Sequence, residues 1–166
     1  MKIFGKPLSE YVAFAKLFLI LIPLVGLLRL GLSLEGVPQS TVQLFSMTAL
    51  GFIGMVYFAI RVHTTGFGSY KQLLVLIALT NLVAQMVAIV GILLAMVTGV
   101  GNIFSAPEFS FGGVNPWVHL AMHVFVGTTA GALVPWAIGS LILAITRKVP
   151  GFRLPTGEGG PRQRAG

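Results

Sequence analysis

The sequence contains no cysteine and no aspartate, and its only acidic residues are four glutamates among 166 residues. Without cysteine the chain can form no disulfide, thiolate metal site, iron–sulfur cluster or thiol nucleophile. Charged residues make up only 9% of the chain, whereas about 25% is usual in a soluble domain. The composition therefore excludes thiol chemistry and argues against an ordinary soluble core.

Motifs of the common enzyme classes are also missing. The chain has no H-E-x-x-H, no nucleophile elbow, no phosphate-binding glycine loop and no dinucleotide fingerprint. A serine–histidine–acid arrangement would need Glu35 or Glu108 to orient a histidine. The sequence assigns no catalytic residue, so it argues against an enzyme without deciding the question.

Long apolar segments are what the chain has in abundance, because 55% of its residues are hydrophobic. About 20 apolar residues are needed to cross the hydrocarbon core of a membrane, and four segments are long enough. Backbone polar groups in lipid must be satisfied within helices, and short loops favour antiparallel neighbours. We therefore predict an all-α, integral membrane four-helix up-and-down bundle over residues 1–149, with spans at about 12–34, 41–61, 72–98 and 117–146.

The positive charges predict the orientation of these spans. Loops 35–40 and 99–116 contain no lysine or arginine, whereas basic residues lie near the start of the chain, around the second loop and after the fourth span. The positive-inside rule then places both termini and the second loop in the cytoplasm. Short loops, the lack of cysteine and the simple alternation of charge suggest a bacterial inner membrane. Residues 150–166, rich in glycine, proline and arginine, predict a disordered basic tail near lipid headgroups. The charges form no single patch, so no nucleic acid is expected as a partner.

Small residues predict how the helices associate. Gly127 and Gly131 form a G-x-x-x-G motif in the fourth span, and the second span offers Gly51 and Gly54 as a possible partner surface. Such glycines let helix backbones approach closely in lipid. Packing within the chain and homodimerisation are both compatible with the motif.

Polar residues within the spans suggest a binding site. Counting along each helix places Arg29, Gln85, His119 and His123 in one layer near the outer surface, where they could line a single pocket. Each residue also has a purely structural interpretation. The arginine could reach the headgroups along its aliphatic stem, and Gln85, like Asn81 one turn earlier, could bond a neighbouring helix. The histidines could be neutral packing residues.

The two histidines narrow the cofactor chemistry. His119 and His123 are four residues apart on one helix face, a spacing that suits a divalent metal with Glu108 or Glu35 as a further ligand. They cannot supply the two opposite axial ligands of one haem, and His63 lies in the second loop, across the bilayer. Three other kinds of haem site remain possible: a five-coordinate haem, a haem with histidine and methionine as axial ligands, and a haem shared between the two chains of a dimer.

Two main hypotheses about function follow, with a third behind them. The first is a small non-enzymatic, multi-pass membrane protein that acts by helix association, as a subunit of a larger membrane complex or as a homo-oligomer. The alternative is a protein that binds a lipophilic ligand, quinone or haem, at the outer-leaflet residues Arg29, Gln85, His119 and His123. A small transporter using the same layer is the third. The expected partners are membrane lipid and other membrane subunits or a second copy, and no cofactor is assigned.

Overall fold

The computed structural model describes residues 2–106 and 115–149. Within these residues the protein is an all-α bundle with four helical segments long and apolar enough to cross a membrane. A two-stranded hairpin precedes the bundle, and the fourth segment is interrupted by a π-helical turn. The elements are β1 (Lys2–Ile3), β2 (Lys6–Pro7), α1 (Leu8–Leu34), α2 (Gln39–Val42), α3 (Met47–Thr64), α4 (Tyr70–Thr98), α5 (Pro116–Ala121), the π-turn (Met122–Gly127) and α6 (Thr128–Lys148).

Local sequence explains where the helices begin and end. The backbone N–H of Ser69 donates to Oε1 of Gln72 at 2.8 Å, so a capping box starts α4. Gly99 ends this helix in the left-handed conformation at φ 70°, which glycine adopts without steric cost. Asn115 caps α5 by accepting from the backbone N–H of Trp117 at 2.9 Å.

The core lies around α3 and α4, each of which contacts both α1 and the last span. The interior is filled by apolar side chains, while other apolar side chains such as Leu141 and Phe125 cover the outside. A bundle that is apolar both inside and outside is the pattern expected of helices surrounded by lipid. The largest fully buried side chains are Tyr11, Ile22, Val42, Phe58, Val62, Leu73, Leu76, Ile92 and Leu143.

The structure differs from the sequence predictions in three local features. The hairpin of β1 and β2 was not predicted; Tyr11 secures it by donating from its hydroxyl to the carbonyl of Ile3 at 2.9 Å. The segment predicted as one helix over 41–61 is divided into α2 and α3, because Ser46 accepts from the backbone N–H of Ala49 and starts a new helix. The third feature is the π-turn. Glu108 and the tail at 150–166 lie outside the described residues.

Candidate functional site

A cavity of about 390 Å³ lies between α1, α3, α4 and the last span. This volume is within the range of roughly 300–1,000 Å³ typical of small-molecule sites. Most of its wall is apolar. Its polar lining comes from Arg29, Thr48, Thr80, Asn81, Gln85 and His123.

The mouth of the cavity faces the outside of the bundle between α3 and α6. Phe52 and Val134 line the cavity and are 43% and 56% exposed, so they flank the opening. Gly51 lines the same wall, and a Cβ atom built on it meets nothing within 4 Å. The absence of a side chain there keeps the space open. An apolar molecule could therefore enter from the side, where acyl chains surround a membrane bundle.

A chain of hydrogen bonds joins α4 to the last span beside the cavity. Nδ2 of Asn81 donates to the backbone carbonyls of Gly127 and Thr128 at 3.1 and 3.0 Å. Nε2 of Gln85 donates to Oδ1 of Asn81 at 3.4 Å. Oε1 of Gln85 lies 2.7 Å from Nδ1 of His123. The two amides thus connect the backbone of one helix to the imidazole that lines the cavity.

The π-turn of the last span lies beside the hydrogen bonds of Asn81 and Gln85. In the π-turn the N–H of Thr128 bonds the carbonyl of His123, five residues earlier, and its hydroxyl donates to the same carbonyl at 3.2 Å. Cβ atoms built on Gly127 and Gly131 would lie 2.6 Å from Gln85 Oε1 and Asn81 Oδ1 respectively. The glycines therefore allow both amides to approach the helix backbone.

The glycines that were predicted as packing residues have different surroundings. Gly127 and Gly131 contact the amides of α4 within the same chain. A Cβ atom built on Gly54 would lie 3.0 Å from the ring of Phe18. Gly51 borders the cavity rather than another helix.

The turn at residues 102–106 closes one side of the cavity. The ring of Phe104 packs against Gly91 on α4, and its centroid lies 5.7 Å from the Arg29 guanidinium carbon. Asn102 holds this turn by donating to the carbonyl of Gly91 at 2.8 Å and accepting from the N–H of Phe104. Sequence reasoning missed Phe104 as a wall residue. The glycine at position 91 was the available signal, because glycine inside a helix often marks close approach.

Three of the four residues predicted for a ligand site share this cavity: Arg29, Gln85 and His123. His119 is only 4% exposed, and its ring centroid lies 5.1 Å from that of His123, but it does not line the cavity. Its Nε2 is buried without a hydrogen-bond partner among residues 2–106 and 115–149.

A metal site as predicted would need a third ligand beside His119 and His123. Glu108 lies outside the described residues, and Glu35 is an exposed residue that ends α1. Within the described part of the chain, no group of three or more histidine, cysteine, aspartate or glutamate side chains is placed to hold a metal.

Comparison of the chain with protein-family models, with curated proteins and with solved structures finds no match. The chemistry of the cavity is therefore the basis on which a function can be argued. A guanidinium supplies hydrogen-bond donors only, a neutral imidazole supplies one donor and one acceptor, and the apolar wall accommodates a ring or chain. This combination suits a largely apolar molecule with a small polar head.

Proposed function

We propose that the protein is a multi-pass membrane protein that binds a lipophilic molecule of the quinone class in the cavity between its spans. One observation carries the proposal: Arg29, Gln85 and His123 come from three different spans, yet they line one cavity. Polar side chains are costly within a membrane and are placed there mostly where they bind something or bond one another. The open side at Phe52 and Val134 suits a ligand that arrives through the lipid.

The chemistry of a quinone head matches the lining. Its ring is flat and apolar, and it carries an oxygen at each end; the oxygens accept hydrogen bonds in the quinone, and the hydroxyls of the reduced hydroquinone also donate them. Arg29 and His123 both line the cavity, so a guanidinium and an imidazole are close to a head group bound there. An isoprenoid tail could leave between Phe52 and Val134 and remain among the acyl chains.

Haem is the second candidate, and one contact favours it. A histidine that ligates a metal usually donates its other ring N–H to an oxygen acceptor, and Gln85 Oε1 lies 2.7 Å from Nδ1 of His123. Nε2 of the same ring would then be the atom available to iron. A haem protein is coloured, so the visible absorption spectrum separates the two candidates.

We also propose that both termini lie in the cytoplasm of a bacterial inner membrane, which would place the cavity toward the outer surface. The positive-inside rule supports this orientation. Basic and aromatic residues also lie together at one end of the bundle, which supports the same orientation. Lys6 lies 4.6 Å from the ring centroid of Phe67, and the guanidinium carbon of Arg147 lies 4.6 Å from that of Tyr70.

Association with other membrane subunits remains a proposal alongside ligand binding. The G-x-x-x-G glycines, Gly127 and Gly131, are occupied by α4 of the same chain. A partner subunit or a second copy would therefore contact a different face of the bundle.

The test is to extract the full-length protein with its surrounding lipid in polymer nanodiscs and to measure bound quinone by mass spectrometry. We expect about one quinone per chain in the wild type. Gly51→Leu should reduce this content at least tenfold, because the new side chain occupies the cavity. Gly31→Leu is the matched control: its Cβ position is also open, but it does not line the cavity.

Two results would contradict the proposal. One is quinone content no higher than in nanodiscs of an unrelated membrane protein. The other is equal quinone content in the two leucine variants when both keep the helical circular dichroism of the wild type.

A further inference from the structure

The hydrogen-bond chain beside the cavity has a fixed direction. Backbone carbonyls only accept, so the amide group that bonds those of Gly127 and Thr128 must be the NH₂ of Asn81. The oxygen of Asn81 then faces Gln85, which must present its own NH₂ to it. The oxygen of Gln85 is left to face His123.

This direction determines which nitrogen of His123 carries the proton. Oε1 of Gln85 can only accept, and it lies 2.7 Å from Nδ1, so Nδ1 of the imidazole donates to it. In a neutral histidine the other ring nitrogen is then an acceptor. Nε2 of His123 has no hydrogen-bond partner among the described residues. Arg29 and His123 both line the cavity, so a ligand there would meet a guanidinium that donates and an imidazole whose unprotonated nitrogen accepts.

We propose that the site prefers the reduced hydroquinone form of its ligand over the oxidised quinone, an inference that rests on the proposed function. A hydroquinone hydroxyl can donate to Nε2 of His123, and its oxygens can still accept from Arg29. A quinone carbonyl can only accept, so it would place an oxygen lone pair against the lone pair of Nε2. The ligand form with the hydroxyl satisfies both residues at once.

The expected preference is large enough to measure. Leaving a buried acceptor without a donor costs about 1–3 kcal/mol, which is roughly a 5- to 150-fold difference in affinity. We therefore expect the hydroquinone to bind at least about fivefold more tightly. Gln85 acts here as a positioning residue, because it sets the proton on His123 without needing to contact the ligand.

The experiment uses the full-length protein in nanodiscs, depleted of its native ligand, with a decyl-substituted benzoquinone and its hydroquinone as probes. Affinities for the two forms are measured at controlled redox potential. Gln85→Leu removes the acceptor at Nδ1, so His123 can carry its proton on Nε2 instead. In that variant the preference for hydroquinone should fall below threefold or reverse. Gln43→Leu, on an exposed residue outside the cavity, is the matched control and should keep the wild-type preference.

An independent measurement reads the proton position directly. The ¹⁵N chemical shifts of labelled histidine distinguish a protonated from a bare ring nitrogen, and the His123→Phe variant assigns the signals of His123. We expect Nδ1 protonated and Nε2 bare in the wild type. Three results would each overturn this inference without affecting the proposed function. They are a protonated Nε2 with a bare Nδ1, equal or tighter binding of the oxidised probe, and an unchanged preference in Gln85→Leu. Binding of neither probe would overturn the proposed function and this inference with it.

Discussion

Replacing Gly131 with alanine should disturb the contact between α4 and the last span. The added methyl carbon would lie 2.6 Å from Oδ1 of Asn81 and 3.2 Å from its Nδ2. Real Cβ atoms do not come this close, so the amide must move. Movement weakens the two hydrogen bonds from Asn81 to the carbonyls of Gly127 and Thr128.

The magnitude follows from two opposing effects. Alanine in place of glycine inside a helix stabilises by about 0.5–1 kcal/mol, because glycine loses more backbone freedom on folding. Forcing a methyl group into a packed site costs about 1–3 kcal/mol. In Gly51→Ala we expect only the gain from replacing glycine with alanine in a helix, since the Cβ position of Gly51 is empty. We therefore expect Gly131→Ala to be less stable than Gly51→Ala by about 1–3 kcal/mol.

Reversible unfolding in mixed micelles, followed by circular dichroism, measures this difference. A double-mutant cycle with Asn81→Ala makes the test sharper, because removing the amide removes the clash. In the Asn81→Ala background, Gly131→Ala should stabilise by the same 0.5–1 kcal/mol or so that Gly51→Ala gives. Equal stability of the two single variants, or an unchanged cost of Gly131→Ala without the amide, would refute the reasoning.

Two further predictions concern the ends of the helices. Tyr11→Phe removes the hydroxyl that donates to the carbonyl of Ile3, so the hairpin should loosen, amide exchange over residues 2–6 should accelerate, and stability should fall by about 1 kcal/mol. Unchanged exchange would contradict this role. The chain has no cysteine, so Ser40→Cys and Thr65→Cys each introduce a single thiol. A membrane-impermeant maleimide added to intact cells should label Ser40→Cys and leave Thr65→Cys unlabelled, and the reverse pattern would show that the orientation is wrong.

The grouping of three polar residues around one cavity could be anticipated from the sequence because a helix rises by a constant amount per residue. Counting from the ends of the spans placed Arg29, Gln85 and His123 at one level, and these three residues do line one cavity. Apolar length likewise predicted four helical segments long enough to cross a membrane. Both predictions depend on distance along one helix and not on how neighbouring helices are rotated.

Rotation and local irregularity could not be predicted in the same way. His119 was expected beside His123 in the pocket, yet only the second ring reaches the cavity. The glycines of the last span were paired with Gly51 and Gly54 as a possible surface, whereas the side chains opposite Gly127 and Gly131 are amides. Which faces of two helices meet depends on all their contacts together, and a single sequence shows only that a face is small or polar. The π-turn has no sequence signal that we could identify.

The π-turn and the amide chain support each other physically. Residues four apart in an α-helix drift by about 40° around the axis, so a stripe at that spacing turns away from a neighbouring helix. A π-turn rotates less per residue, which offsets part of this drift between His123 and Gly127. Irregular backbone within a membrane is tolerated where protein groups satisfy it, and Asn81 supplies donors to the carbonyls beside the turn. The bonds to these carbonyls fix the amide of Asn81, whose oxygen in turn orients Gln85 toward His123. The stability of the irregular helix and the proposed proton position on His123 therefore depend on one pair of amides.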